Sequence, residues 1–277
     1  DCYRTANQVN SDGSGLGGHA SNGINYHPFR WDAANGMVNI ADANGDGVVD
    51  GTASEWATGF ASVRAMSPDG SVIAGNVQDA SRQNRAFRWD ATTGMVNLAD
   101  TDGDGVVGTP GSSEWVAGDS RASSISSDGS VIGGFAVYDS KLHAFRWDAT
   151  NGMVRIAGGW ATGNSQAEVM SSDGSVIGGY AHEGNYKRAF RWDATNGMVN
   201  IADTDGDGVV DRAFGEWATG DSEAQVMSSD GSVIGGIADD GPSSRIFRWD
   251  ATNGMVDITG DWTLVITMLK LCHQTAQ

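Results

Sequence analysis

Cysteine, proline, basic side chains and long apolar runs are all scarce in this chain of 277 residues. The two cysteines, Cys2 and Cys272, stand near opposite ends. In a secreted protein such a pair is expected to form a disulfide, clasping the termini or linking neighbouring subunits; two free thiols are the alternative. Four prolines against forty glycines signal many tight turns. Only 17 basic side chains face 35 acidic ones, a net charge of −18. That excludes nucleic acid as a natural partner, because phosphate binding needs a positive surface, and it favours cations. No stretch approaches the ~20 apolar residues of a membrane-spanning helix. No window shows a helical period, and no signal peptide is visible, which fits a chain already processed at Asp1. The chain is nevertheless a folding sequence: 39% of it is hydrophobic, with ten tryptophans that need burial.

What is present is repetition. Phe-Arg-Trp-Asp occurs five times, beginning at Phe29, Phe87, Phe145, Phe190 and Phe247, and each copy leads into a run such as Ala-Thr-Asn-Gly-Met-Val. A Ser-Asp-Gly-type turn precedes each one, starting at Ser11 (degenerate), Ser67, Ser126, Ser171 and Ser228. The motif tryptophans are spaced 58, 58, 45 and 57 residues apart. Each unit reads as four short strands. In the last unit these are Ala224–Met227, Ser232–Ala238, Ile246–Trp249 and Met255–Ile258, with a variable loop before the third and a hairpin closed by Gly254. Phe and Trp alternate with Arg and Asp on the third strand, the period-2 pattern of a half-buried strand. The spacing predicts an all-β fold, a β-propeller-like array of five four-stranded units within residues 1–259, at about 5–41, 62–99, 121–157, 165–201 and 222–258. A stacked β-solenoid or a tandem β-sandwich is the alternative.

Ala86-Phe87-Arg88-Trp89-Asp90, followed by Thr93-Gly94-Met95-Val96-Asn97-Leu98, resembles the HAF-type extracellular repeat of bacterial secreted proteins. The turn Ser67-Pro68-Asp69-Gly70 resembles the strand-connecting turn of many bacterial propellers. The resemblance spans about residues 5 to 258 and implies export to the cell exterior. It supplies no catalytic residues.

Three units carry an acidic insertion after the fourth strand, at 42–50, 100–108 and 203–211. Oxygen donors stand at alternate positions: Asp42, Asn44, Asp46 and Asp50; Asp100, Asp102 and Asp104; Asp203, Asp205, Asp207 and Asp211. Glycine follows the third donor, and the carbonyl of Val48, Val106 or Val209 supplies a further oxygen, as in the first half of an EF-hand loop. A hard cation takes six to eight oxygens, so Ca2+ is the expected cofactor. Position 12, a bidentate Glu in an EF-hand, is Ala53, Gly111 or Phe214 here; Glu55, Glu114 and Glu216 follow slightly later and are candidates to complete the shell. The second loop has Gly108 at position 9 and is expected to bind more weakly. The connector after the third unit, Arg155 to Trp160, lacks the insertion and every acid. The insertion is therefore a removable module.

No unique catalytic constellation is legible. The repeated Asp32, Asp90, Asp148, Asp193 and Asp250 are expected to cap turns, and the repeated Arg30, Arg88, Arg146, Arg191 and Arg248 to pair with them or stack on aromatic rings. His19 and His27 are expected in loops. Residues 260–277 form a separate β-prone segment, placed at the edge of their own domain or exchanged with a neighbouring subunit. The expectation for function is a non-enzymatic extracellular structural or adhesive protein, stabilised by calcium and assembling into oligomers or filaments through its termini. The alternative is a module that binds a glycan or cell surface.

Overall fold

The computed structural model describes residues 4–21, 23, 26–41, 60–79, 81–100, 118–202, 220–239 and 243–259. Within them the chain forms five four-stranded antiparallel sheets, each built from four consecutive strands in sequence order. Unit 1 holds β1 (Arg4–Val9), β2 (Gly15–Ser21), β3 (Tyr26–Asp32) and β4 (Gly36–Asn39). Unit 2 holds β5 (Ala61–Met66), β6 (Val72–Gln78), β7 (Asn84–Asp90) and β8 (Gly94–Asn97). Unit 3 holds β9 (Ser120–Ile125), β10 (Val131–Tyr138), β11 (Lys141–Asp148) and β12 (Gly152–Arg155). Unit 4 holds β13 (Ser165–Met170), β14 (Val176–Glu183), β15 (Tyr186–Asp193) and β16 (Gly197–Asn200). Unit 5 holds β17 (Ser222–Met227), β18 (Val233–Asp239), β19 (Ser244–Asp250) and β20 (Gly254–Asp257). The five expected units are all present.

Local chemistry writes each turn. Ser126 Oγ accepts the Val131 N–H at 2.9 Å and donates to Asp128 Oδ1 at 2.7 Å, while Asp128 Oδ1 accepts the Ser130 N–H at 3.0 Å. Gly129, at φ 68°, supplies the left-handed residue that closes the turn. In unit 1 the place of Ser126 belongs to Asn10, one residue before the expected Ser11: Asn10 Oδ1 accepts the Gly15 N–H at 2.8 Å. An amide oxygen and a hydroxyl perform the same task there, which is why the motif looks degenerate. On the fourth-strand hairpin, Asp148 Oδ1 accepts the N–H groups of Thr150 and Asn151, as the sequence led us to expect of that aspartate. His19 and His27 lie in β2 and β3 rather than in the expected loops, because those strands run further than their apolar centres suggest; His143 and His182 lie in β11 and β14.

Cohesion comes from stacking units face to face. In units 2 to 5 the phenylalanine of the Phe-Arg-Trp-Asp motif points into the seam with the preceding unit: Phe87, Phe145, Phe190 and Phe247 are fully buried. Phe145 sits with Ile132, Ala136 and Met153 of its own unit against Ala74, Ala86 and Leu98 of unit 2. The same arrangement joins units 1 and 2, 3 and 4, and 4 and 5. The first strands of successive units lie side by side, so they form the inner edge of the array. The second glycine of each Gly-Gly pair lets the phenylalanine ring and the first strand meet. A Cβ on Gly134 would stand 2.0 Å from the Arg121 carbonyl oxygen and 2.9 Å from Phe145 Cε1. Gly134→Ala is therefore expected to destabilise the chain by about 3 kcal/mol through overpacking, read as a lower urea midpoint at unchanged slope.

Candidate functional site

Repeated and non-repeated polar residues occupy different places. The repeated ones are consumed within the scaffold. Arg30, Arg88, Arg146, Arg191 and Arg248 each pair with the aspartate two residues on, Asp32, Asp90, Asp148, Asp193 and Asp250. Arg30 Nε also donates to the Gly70 carbonyl of the next unit at 3.2 Å, and Arg88 Nε to the Gly129 carbonyl at 3.3 Å. These arginines staple one unit to the turn of its neighbour. Between units this leaves shallow grooves of about 610 and 710 Å³, lined by the same Arg, Asp, Trp and Asn or Thr side chains. Asp32 is held down to about 2 by the Asn35 side chain and backbone, with Arg30 adding to it. Asp128, Asp173 and Asp230 are likewise held to about 2, first by the side chains of Ser126, Ser171 and Ser228.

A set of non-repeated polar residues lies on the inner edge. Each first strand carries a β-bulge whose extra residue is Asn7, Arg64, Ser123, Glu168 or Gln225. A bulge takes its residue out of the ladder and re-aims its side chain. Two residues earlier stand Thr5, Ser62, Arg121, Gln166 and Glu223. These ten positions are exposed or half-buried, whereas the alternate positions Val63, Ala122, Ala167 and Ala224 are buried.

Charge on this edge is divided. On units 2 and 3, Arg121 lies within the field of Arg64, and its guanidinium carbon stands 5.4 Å from the centre of the Phe135 ring. Arg121 Nε is buried without a hydrogen-bond partner among the described residues. Burial first, and Arg64 second, lower its pKa. On units 4 and 5 the sign reverses. Glu168 and Glu223 come together from strands 55 residues apart in sequence, and Lys187 Nζ donates to Glu223 Oε2 at 3.2 Å while lying 4.1 Å from the centre of the Tyr180 ring. Burial, and then the Glu223 carboxylate, push the pKa of Glu168 up to about 7.

The pair sets a pH dependence. The folded chain keeps a proton on Glu168 that the unfolded chain releases above its ordinary value of 4.5. Stability therefore falls as pH rises from about 4.5 through about 7. Glu168→Gln is expected to flatten that window and to raise stability at pH 8 by roughly 1–2 kcal/mol, a figure reduced for the partial exposure of the site. Urea melts of the two chains at pH 5 and pH 8 measure it.

The expected calcium ligands fall elsewhere. Asp42, Asn44, Asp46, Val48, Asp50 and Glu55 lie outside the described residues, as do Asp102, Asp104, Val106 and Glu114, and Asp203, Asp205, Asp207, Val209, Asp211 and Glu216. Asp100 is described, at the end of unit 2. The same holds for Cys2, Cys272 and the segment 260–277, all outside the described residues. Topology fixes the rim from which the insertions spring. They leave the end of a fourth strand and enter a first strand, opposite the rim of the Ser-Asp-Gly turns. Among the described residues no group of three His, Cys, Asp or Glu side chains is placed to hold a metal, and no helix is long and apolar enough to cross a membrane.

Sequence reading missed the Glu168–Glu223 pair. The signal was there in negative form: against near-identical repeats, the first-strand columns are the ones that change chemistry from unit to unit.

These features define the chain as an all-β, propeller-like repeat protein with one unrepeated polar inner edge. No family model matches it, and no curated protein matches it. Solved structures do. A putative TolB from Agrobacterium tumefaciens matches with a TM-score of 0.50 at 16% identity, covering 92% of this chain and 80% of that one. Prolyl oligopeptidase B from Galerina marginata matches with a TM-score of 0.51 at 9% identity, covering 94% of this chain and 34% of that one. An oligogalacturonate lyase in complex with manganese matches with a TM-score of 0.51 at 13% identity, covering 92% of this chain and 65% of that one. The chain thus spans 80% of one TolB, 53% of the Acinetobacter baumannii TolB and about a third of the peptidases it resembles. At such identities the likeness concerns the fold.

Proposed function

We propose that this chain is a non-catalytic extracellular scaffold, stabilised by calcium in its acidic connectors, that binds a polar polymer such as a glycan along its inner edge. One observation carries the reading: the repeated polar side chains are used up in turns and staples, while the first-strand edge carries polar side chains that change from unit to unit. A scaffold alone has no need of that division. Arg64 and Arg121 suit an anionic partner, and Glu168 and Glu223 a cationic one. The resemblance of the Phe-Arg-Trp-Asp repeat to HAF-type proteins supports the exterior location.

Galacturonan and chitosan oligomers, one anionic and one cationic, are the probes. At low salt at least one is expected to bind without being cleaved. Arg121→Ala is expected to weaken galacturonan binding about ten-fold, and Glu223→Gln to weaken chitosan binding similarly. Release of new reducing ends, or binding indifferent to both substitutions, would count against the proposal.

A further inference from the structure

Every internal unit has its outward face covered by the unit that follows. No described unit covers the outward face of unit 5, where Val226, Ile237, Ile246 and Ile258 are 63%, 38%, 52% and 54% exposed. The counterparts of Ile258 inside the array, Ile40, Leu98, Ile156 and Ile201, are at most 2% exposed. The face also keeps a notch that no described residue of another unit fills. In units 1, 3 and 4 the glycine at this place admits a side-chain tip from the following unit. A Cβ on Gly17, Gly133 or Gly178 would meet the terminal methyl of Met66, Met170 or Met227 at 2.6, 3.2 or 3.1 Å. Among the described residues, a Cβ on Gly235 would meet only its own unit, Val226 Cγ2 at 2.9 Å and the Phe247 carbonyl oxygen at 3.5 Å.

The sequence carries a fitting occupant. Each connector between units places a tryptophan five residues before the first strand: Trp56 before Ala61, Trp115 before Ser120, Trp160 before Ser165 and Trp217 before Ser222. Trp160 Nε1 donates to the Met198 carbonyl of the following unit at 3.1 Å, so this residue belongs to the seam. Ile258-Thr259-Gly260-Asp261-Trp262 repeats the pattern of Ile156-Ala157-Gly158-Gly159-Trp160. Five residues after Trp262 stands Thr267. Thr267–Cys272 then falls in step with Ser165–Met170, with Leu269 and Leu271 at the places of Ala167 and Val169, and Cys272 at the place of Met170 and Met227.

We propose that residues 267–272 are the first strand of a sixth unit and lie on the outward face of unit 5, with Cys272 at the Gly235 notch. The inference is independent of any ligand. One detail differs from the internal seams. Thr259 Oγ1 already accepts the Ile246 N–H at 2.8 Å, a task that Ser120, Ser165 and Ser222 perform across the other seams. The strand therefore engages through Leu269 to Cys272 rather than through Thr267.

Two measurements test this. In the unaltered chain, Cys272 is expected to alkylate roughly ten-fold more slowly when folded than in urea. In a chain carrying Cys2→Ser and Val226→Cys, an exposed substitution, a short bismaleimide is expected to link position 226 to Cys272 within the monomer, identified by peptide mapping. Alkylation of Cys272 at its urea rate, or crosslinks formed only between chains, would overturn the proposal. The last outcome would assign the outward face to a second copy.

Discussion

Removing calcium is expected to lower the melting temperature of this protein by roughly 15–30 °C. The argument starts from the connectors 42–50, 100–108 and 203–211, where three or four acidic or amide oxygens crowd into nine residues. Without a cation those carboxylates repel one another. Ligand that binds only the folded state stabilises it by about 2.7 kcal/mol per site at a hundred-fold excess over its dissociation constant. Three such sites, at ~2–4 °C for each kcal/mol in a chain of this size, give the stated shift. Magnesium is not expected to substitute, because it demands a tight octahedron and sheds water reluctantly. Asp46→Asn should remove about a third of the effect, and loop two, with Gly108 in place of an acid, should be the first to empty on dilution. The connector at 157–164, which has no acids, is the internal control: substitutions there should leave the calcium response unchanged. Melts in calcium, magnesium and EDTA decide the matter. A melt indifferent to all three would reduce the acidic loops to surface turns.

Phe145→Ala is expected to cost about 4 kcal/mol and to change the shape of unfolding. Phe145 is fully buried in the seam between units 2 and 3, against Ala74, Ala86 and Leu98. Deleting a buried ring removes its transfer free energy and leaves a cavity the neighbours cannot fill. In a repeat array, stability is a sum of unit terms and nearest-neighbour terms. Weakening one central seam therefore uncouples units 1 and 2 from units 3 to 5. We expect the urea transition to broaden or divide in two, with amide exchange accelerating first on one side of the seam. Phe247→Ala, in the last seam, should instead loosen unit 5 alone. An unchanged single transition in Phe145→Ala would mean that the units hold together by something other than these seams.

Much of this architecture was legible in the sequence because its causes are local. Period-2 alternation in Phe-Arg-Trp-Asp names a strand with one buried face. The Ser-x-Asp-Gly and Asp-x-x-Asn-Gly turns carry their own acceptors and their own left-handed glycines within five residues. Five copies of that grammar give five four-stranded units, whatever their arrangement in space. The calcium expectation for the acidic connectors likewise rests on donor spacing along the chain alone, and all its ligands except Asp100 lie outside the described residues. Even the error at Ser11 was local: Asn10 reproduces the hydroxyl of Ser126 with a different functional group.

Tertiary structure decided what depends on distance across seams. Glu168 and Glu223 are unremarkable polar residues in sequence, each on its own strand. They become a proton-sharing pair only because successive first strands lie side by side at the inner edge, where burial penalises two adjacent negative charges. The bulge that re-aims Arg64 and Glu168 is a matter of register between strands and leaves no composition signal. Nor could the sequence say which face of each unit is covered. Ile201 and Ile258 stand at the same place in their units, yet one is fully buried and the other is more than half exposed, because a described unit follows the first and none follows the second.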